Sequence, residues 1–184
     1  AVGLSQIPAL LQWTRGEGAV THNVYLGTSP DLTETDCVAS AHTKVFYFHA
    51  GGLVGGATYY WRVDEVEADG TIHTGEVWSF IAQADVAYYP TPKDGSNSVQ
   101  LTSSLAWMAG KNAIGHHLYF GADANAVAAG TADVDQGELE KSVTSFDPGP
   151  LDSLADYYWR VDEKRAGNVT MTGSVWSFST VLPV

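Results

Sequence analysis

The segment Tyr59-Tyr60-Trp61-Arg62-Val63-Asp64-Glu65 recurs unchanged as Tyr157-Tyr158-Trp159-Arg160-Val161-Asp162-Glu163, 98 residues further on in a chain of 184. Seven identical residues in a row are not expected by chance, so the fold must be one structural plan used twice. The same offset carries Thr74-Gly75 onto Thr172-Gly173 and Val77-Trp78-Ser79-Phe80 onto Val175-Trp176-Ser177-Phe178. Nearer each start, Trp13, His22, Tyr25 and Gly27 match Trp107, His116, Tyr119 and Gly121 at an offset of 94. Four extra residues therefore fall between Gly121 and Leu151, in a stretch rich in Ala, Asp and Gly, where a surface connection tolerates added length. The expected modules are residues 1–84 and 91–184, joined by a short link at 85–90 that Pro90 and Pro92 make extended or turned.

Each copy reads as strands. His22, Val24 and Leu26 alternate with Asn23, Tyr25 and Gly27, the period of two that separates the faces of a strand. Leu10 to Thr14 and Thr43 to Phe48 are further β-prone runs. Tyr59, Trp61 and Val63 share one face of the next strand, with Tyr60, Arg62 and Asp64 on the other. Asp69-Gly70 is a hairpin turn, and the strand that returns over Gly75 to Ala82 carries Trp78 and Phe80 on one face. No segment has helical periodicity. The fold class is all-β: two tandem β-sandwiches of about seven antiparallel strands each.

On these residues the chain resembles tandem fibronectin type III repeats. Leu53 followed six residues later by Tyr59, and Leu151 by Tyr157, are similar to that family's tyrosine corner. Trp13 and Trp107 resemble its core tryptophan, and Tyr59-x-Trp61-x-Val63 its Tyr-x-Phe-x-Val strand. Val54-Gly55-Gly56 and Asp152-Ser153-Leu154 stand where the family carries Pro-Gly, and the first copy lacks a clear opening proline, which suggests a trimmed first strand. The resemblance implies an Ig-like sandwich whose corner phenol bonds backbone. More narrowly, Val24-Tyr25-Leu26-Gly27-Thr28 and the repeated heptapeptide look like repeats of large secreted bacterial proteins that sit beside carbohydrate-active or adhesive domains.

Charge narrows the functional classes. Nine Lys and Arg against 21 Asp and Glu give a formal charge of −12, which repels nucleic acid and anionic lipid surfaces. No run of apolar residues is long enough to span a bilayer, and no signal peptide opens the chain, whose start at Ala1 is that of an excised fragment. The single cysteine, Cys37, has no partner for an internal disulfide. Gly-x-Ser-x-Gly, His-Glu-x-x-His and phosphate-binding glycine loops are all missing. The expected function is a non-catalytic spacer or presentation module of a larger extracellular or cell-surface protein. It needs no cofactor, is monomeric, and has other domains of its own chain as partners. The alternative is a carbohydrate-binding module serving a polysaccharide-active enzyme.

Duplication sorts the candidate residues. The six tryptophans fall in three matched pairs, as a shared core requires. Unmatched aromatics are the better ligand candidates. At offset 98, Phe46 and Tyr47 oppose Thr144 and Ser145, with Tyr47 expected to face outward, and Tyr88 and Tyr89 lie in the expected link. Tyr60 and Tyr158 stand beside Arg62 and Arg160 on the outward strand face, where each arginine is placed to stack on an aromatic ring. Asp133, Asp135 and Glu138 place carboxylates around a turn in a partial echo of a calcium loop, which the first copy lacks.

Overall fold

The structure is a computed structural model and describes residues 9–182. The chain divides into two compact units, Ala1–Gln83 and Ala84–Val184. Residues 85–90 are therefore not a free link. Ala84, Ala87 and Tyr88 are buried, and the Arg165 guanidinium holds both the carbonyl and the carboxylate of Asp85.

In the first unit, strands β1 (Ala9–Gln12) and β4 (Phe46–His49) form an antiparallel ribbon. It faces a sheet of β2 (Ala19–Gly27), β3 (Cys37–His42), β5 (Thr58–Glu67), β6 (Ile72–His73) and β7 (Trp78–Ile81). Leu11, Val24, Leu26, Leu53, Val63 and Ala82 fill the space between the layers. The alternation read from the sequence is what points these side chains inward.

The second unit repeats the plan with nine short strands. Strand β10 (Leu105–Met108) pairs with β13 (Ser145–Phe146) on one side and β8 (Tyr88–Thr91) on the other. The facing sheet runs β12 (Asp135–Glu140), β11 (Gly115–Gly121), β14 (Asp156–Arg165), β16 (Val175–Thr180), β9 (Ser96–Val99), with β15 (Val169–Met171) also on β14. Strand β9 joins β16 in parallel, the one departure from antiparallel pairing among the described strands. Leu105, Trp107, Leu118, Trp159, Val161, Trp176 and Phe178 form its core.

Two repeated devices hold each plan, and one inserted element tells the copies apart. The Tyr59 hydroxyl accepts from the Val54 amide at 3.0 Å and the Tyr157 hydroxyl from the Asp152 amide at 3.0 Å, the corner that the resemblance implies. A Cβ on Gly75 or Gly173 would lie 2.1 Å from the carbonyl of Val63 or Val161, so the chain crosses too close to the strand for any other residue. The four added residues appear as helix α1 (Ala124–Ala129), where the first unit has a single 3-10 turn over Glu34–Asp36. Asp123 caps α1 by accepting from the amides of Asn125 and Ala126, and Gly130 ends it in the left-handed conformation at φ 67°.

Not every matched tryptophan is core. Trp176 is 6% exposed, but its counterpart Trp78 is 40% exposed. In the second unit β9 lies against β16 and contributes Val99 to the core, whereas among the described residues of the first unit the corresponding edge of β7 carries no strand.

Candidate functional site

The chemistry-bearing residues of the repeat are best read by what each one touches. His22 sits opposite Glu65, and His116 opposite Glu163, across the paired strands. In the second unit both partners are fully buried. His116 Nε2 lies 3.1 Å from the Lys141 carbonyl, an acceptor, so that nitrogen carries a proton and donates it. Nδ1 lies 2.5 Å from Glu163 Oε2, a distance that requires a second proton between them. The other Glu163 oxygen accepts from the Gly110 amide at 2.6 Å. Burial alone disfavours the imidazolium, but the hydrogen bond and charge of Glu163, with the Lys141 carbonyl, outweigh it and raise the His116 pKa above the ordinary 6.5. No substrate can reach this pair. Its work is to tie β11, β14 and the turn at Gly110 together.

The first unit has the same pair in looser form. His22 is buried, yet the Glu65 side chain keeps 19% of its surface exposed. Nδ1 stands 2.8 Å from Oε2 without hydrogen-bond alignment, and His22 Nε2 has no partner among the described residues. Glu65 still accepts from the Gly16 amide at 3.1 Å, the counterpart of the Gly110 contact. Trp13 and Trp107 meet the two histidine rings edge-on at 5.3 and 5.5 Å, which fixes these rings in the core.

The outward arginines are also spent on structure. Arg62 lies over the Tyr25 ring at 4.3 Å, pairs with Asp64 at 2.8 Å and donates to the Leu32 carbonyl. Arg160 covers Tyr119 at 4.4 Å, pairs with Asp162 at 2.8 Å and donates to the Ala128 carbonyl at the end of α1. Asp64 and Asp162 each accept, in addition, from the amide of the close-packed glycine, Gly75 or Gly173. Desolvation lowers the Arg62 pKa, but the bonds to Asp64 more than restore it and the net shift is upward. The rings stacked by the arginines are thus Tyr25 and Tyr119, rather than Tyr60 and Tyr158.

The other expected ligand residues scatter. Tyr47 does not face outward. It pairs with Leu11 on β1 and packs on the first core, while its neighbours Phe46 and Phe48 are 41% and 53% exposed. The register explains the error. Gln12 opposes Phe46 and Ala106 opposes Ser145, so the offset on this strand is 99 and Tyr47 matches the core residue Phe146. Tyr88 is buried, and that burial raises its phenol pKa, whereas Tyr89 is 52% exposed. Asp135 accepts from His117 Nε2 at 2.7 Å and from the Gly137 amide, Glu138 pairs with Lys164 at 3.0 Å, and Asp133 is exposed. Hydrogen bonding to His117 holds the Asp135 carboxyl below its usual range, as pairing with Lys164 does for Glu138. Asp135 and Glu138 flank the His117 ring at 2.7 and 3.9 Å, and no described group of three or more ligating side chains is placed to hold a metal ion.

One expected residue does line a cavity. Asp156 and Tyr158 on β14 stand opposite Ser179 and Ser177 on β16, so period two brings all four side chains to one face. With Gly95, Ser96 and Phe178 they line a shallow, half-open groove of about 210 Å³. The Ser179 hydroxyl donates to Asp156 Oδ1 at 2.5 Å. Asp94 anchors the rim by accepting from the Ser177 amide at 2.9 Å, and the Gly95 amide bonds the Ser177 carbonyl at 2.8 Å. Tyr60 and Ser79 repeat Tyr158 and Ser177 in the first unit, but Thr58 and Ile81 replace Asp156 and Ser179.

No family model and no curated protein sequence matches the chain. Among solved structures it is similar to an α-L-rhamnosidase of Dictyoglumus thermophilum, at 16% identity and a TM-score of 0.43, over 51% of this chain and 12% of that one. It is similar to the FN1-FN3 domains of chicken CNTN1 at 13% identity and a TM-score of 0.36, over 99% of this chain and 66% of that one. It is also similar to a two-domain fibronectin type III segment of chicken tenascin at 10% identity and a TM-score of 0.36, over 98% and 95% of the two chains. The chain spans less than two thirds of the first two of these proteins, and likeness at this level carries no argument about what it binds.

Proposed function

We propose that the chain is a non-catalytic spacer and presentation segment of a longer, secreted or cell-surface polypeptide, whose other domains are its partners. The observation that carries this reading is the internal commitment of its reactive groups. His116 with Glu163 and Arg160 with Asp162 are all buried and bond each other and the backbone of their own unit, and the first unit places the same residue pairs together in looser form. An acid and a base sealed from solvent hold strands together and cannot reach a substrate. The charge of −12 favours solubility and disfavours nucleic acid. No described helix is long and apolar enough to cross a membrane.

The test is an exchange within the parent polypeptide. Replacing residues 9–182 by an unrelated pair of β-sandwiches of equal length should leave the activity of the neighbouring domains within twofold. Loss of that activity, with the neighbours still folded, contradicts a spacer role.

A further inference from the structure

We propose that the groove between β14 and β16 of the second unit is a binding subsite for one ring of a neutral saccharide. The groove presents the hydroxyls of Ser96 on β9, Ser177, Ser179 and Tyr158, one carboxylate and one aromatic ring, with the Ser177 hydroxyl donating to Asp94 Oδ1 at 3.4 Å and its lone pairs left to accept. A sugar ring needs this mixture. Its hydroxyls both donate and accept, as serine hydroxyls do, a carboxylate accepts from two neighbouring hydroxyls at once, and the C–H face of the ring rests on an aromatic side chain. Asp156 already accepts from Ser179 through Oδ1, which orients the carboxylate and leaves Oδ2 for a ligand.

Size and charge point the same way. At about 210 Å³ the groove is smaller than the roughly 300–1,000 Å³ that enclose a drug-sized molecule, and it is open to one side, as suits a single ring of a longer chain. Exposed Asp156 on the groove wall and Asp94 bonded to Ser177 beside it, within a chain of charge −12, disfavour an anionic ligand. The set also departs from the duplication. Tyr60 and Ser79 keep two of the four groups, but Ile81 puts an alkyl chain where Ser179 has its hydroxyl, and Thr58 removes the carboxylate. The first unit is therefore a built-in control. The subsite is independent of the spacer role and stands or falls separately.

The experiment is an amide chemical-shift titration of the whole chain with glucose, galactose, mannose and N-acetylglucosamine, and with soluble β-linked tetrasaccharides of glucose and mannose. Lysine and choline form a second arm, because a carboxylate beside a tyrosine ring also suits a cation. At least one sugar should shift residues 95–96, 156–158 and 177–179 while residues 58–60 and 79–81 stay in place. Asp156→Ala, with an otherwise unchanged spectrum, should weaken that binding by about tenfold or more, as expected for loss of a charged acceptor. Tyr158→Leu should weaken it independently. Shifts with choline or lysine alone, equal shifts in both units, or no shift with any of these probes would overturn the proposal.

Discussion

The two units are built on the same side chains but do not seal them equally. Glu163 is fully buried and Glu65 is 19% exposed, and Trp176 is 6% exposed against 40% for Trp78. The local partners are the same in kind. In the second unit β8 pairs β10 and β9 pairs β16, which closes both layers at that edge. A repeated sequence thus fixes which groups meet, while how dry each meeting is differs between the copies. Dryness in turn sets the energetic weight of a polar pair, because removing one partner of a sealed pair leaves the other desolvated and unpaired.

The largest contrast is expected at the paired tryptophans. Trp176→Ala should cost about 4 kcal/mol, the usual range for deleting a buried large aromatic, and Trp78→Ala less than half as much. Urea denaturation, with hydrogen exchange to assign the loss to one unit, measures both, and equal losses would break the comparison. Next is the buried pair. Glu163→Gln should cost about 3 kcal/mol. Glu65→Gln, at a site water already reaches, should cost about 1 kcal/mol.

Titration sharpens the same contrast. Because the His116 pKa is raised on folding, its contribution to stability is complete below the unfolded value of 6.5 and is lost as pH rises through the folded value. The urea midpoint of the second unit should therefore fall as pH is raised from 6 towards 9, and His116→Gln should abolish that fall. The smallest effect concerns the added helix. Asp123→Ala removes the cap of α1 and should cost about 1 kcal/mol, read as faster amide exchange over residues 124–130 with the core strands unaffected.

Much of the framework is legible in the sequence. The period of two in His22-Asn23-Val24 and in Tyr59 to Asp64, the corner tyrosines and the Asp69-Gly70 turn are local signals, and the structure follows them. Helix α1 contradicts the expectation of no helical segment, and its signals are local, the Asp123 cap and the Gly130 stop around an alanine-rich run too short to show a period; the other misplaced features depend on distant pairing. An offset of 98 carried across β4 leaves Tyr47 without a counterpart, whereas the strand register gives 99 and matches it to Phe146, and its expected outward face is an inward one. Residues 85–90 looked like a link because prolines mark extended chain. Their burial depends on strands and side chains far along the sequence, at Leu105–Met108 and Arg165. Trp78 was assigned to the core by matching, and matching says nothing about whether an edge is covered.

Two features of the site carry a sequence signal of their own. His22 shares a face with Val24 and Leu26, and Glu65 shares a face with Trp61 and Val63. Two inward polar residues on adjacent strands, present in both copies, signal a buried ion pair. Asp156 and Ser179 are the residues that break the repeat beside Tyr158, but only the pairing of β14 with β16 brings them together.

The most direct test of the claim that the matched polar residues are sealed architecture is nitrogen-resolved NMR of the histidine rings between pH 5 and 9. His116 should keep protons on both ring nitrogens above pH 6.5, and Glu163→Gln should remove the one at Nδ1 while that at Nε2 remains. A His116 ring that titrates freely near pH 6.5 and exchanges with solvent as fast as that of exposed His73 would contradict it.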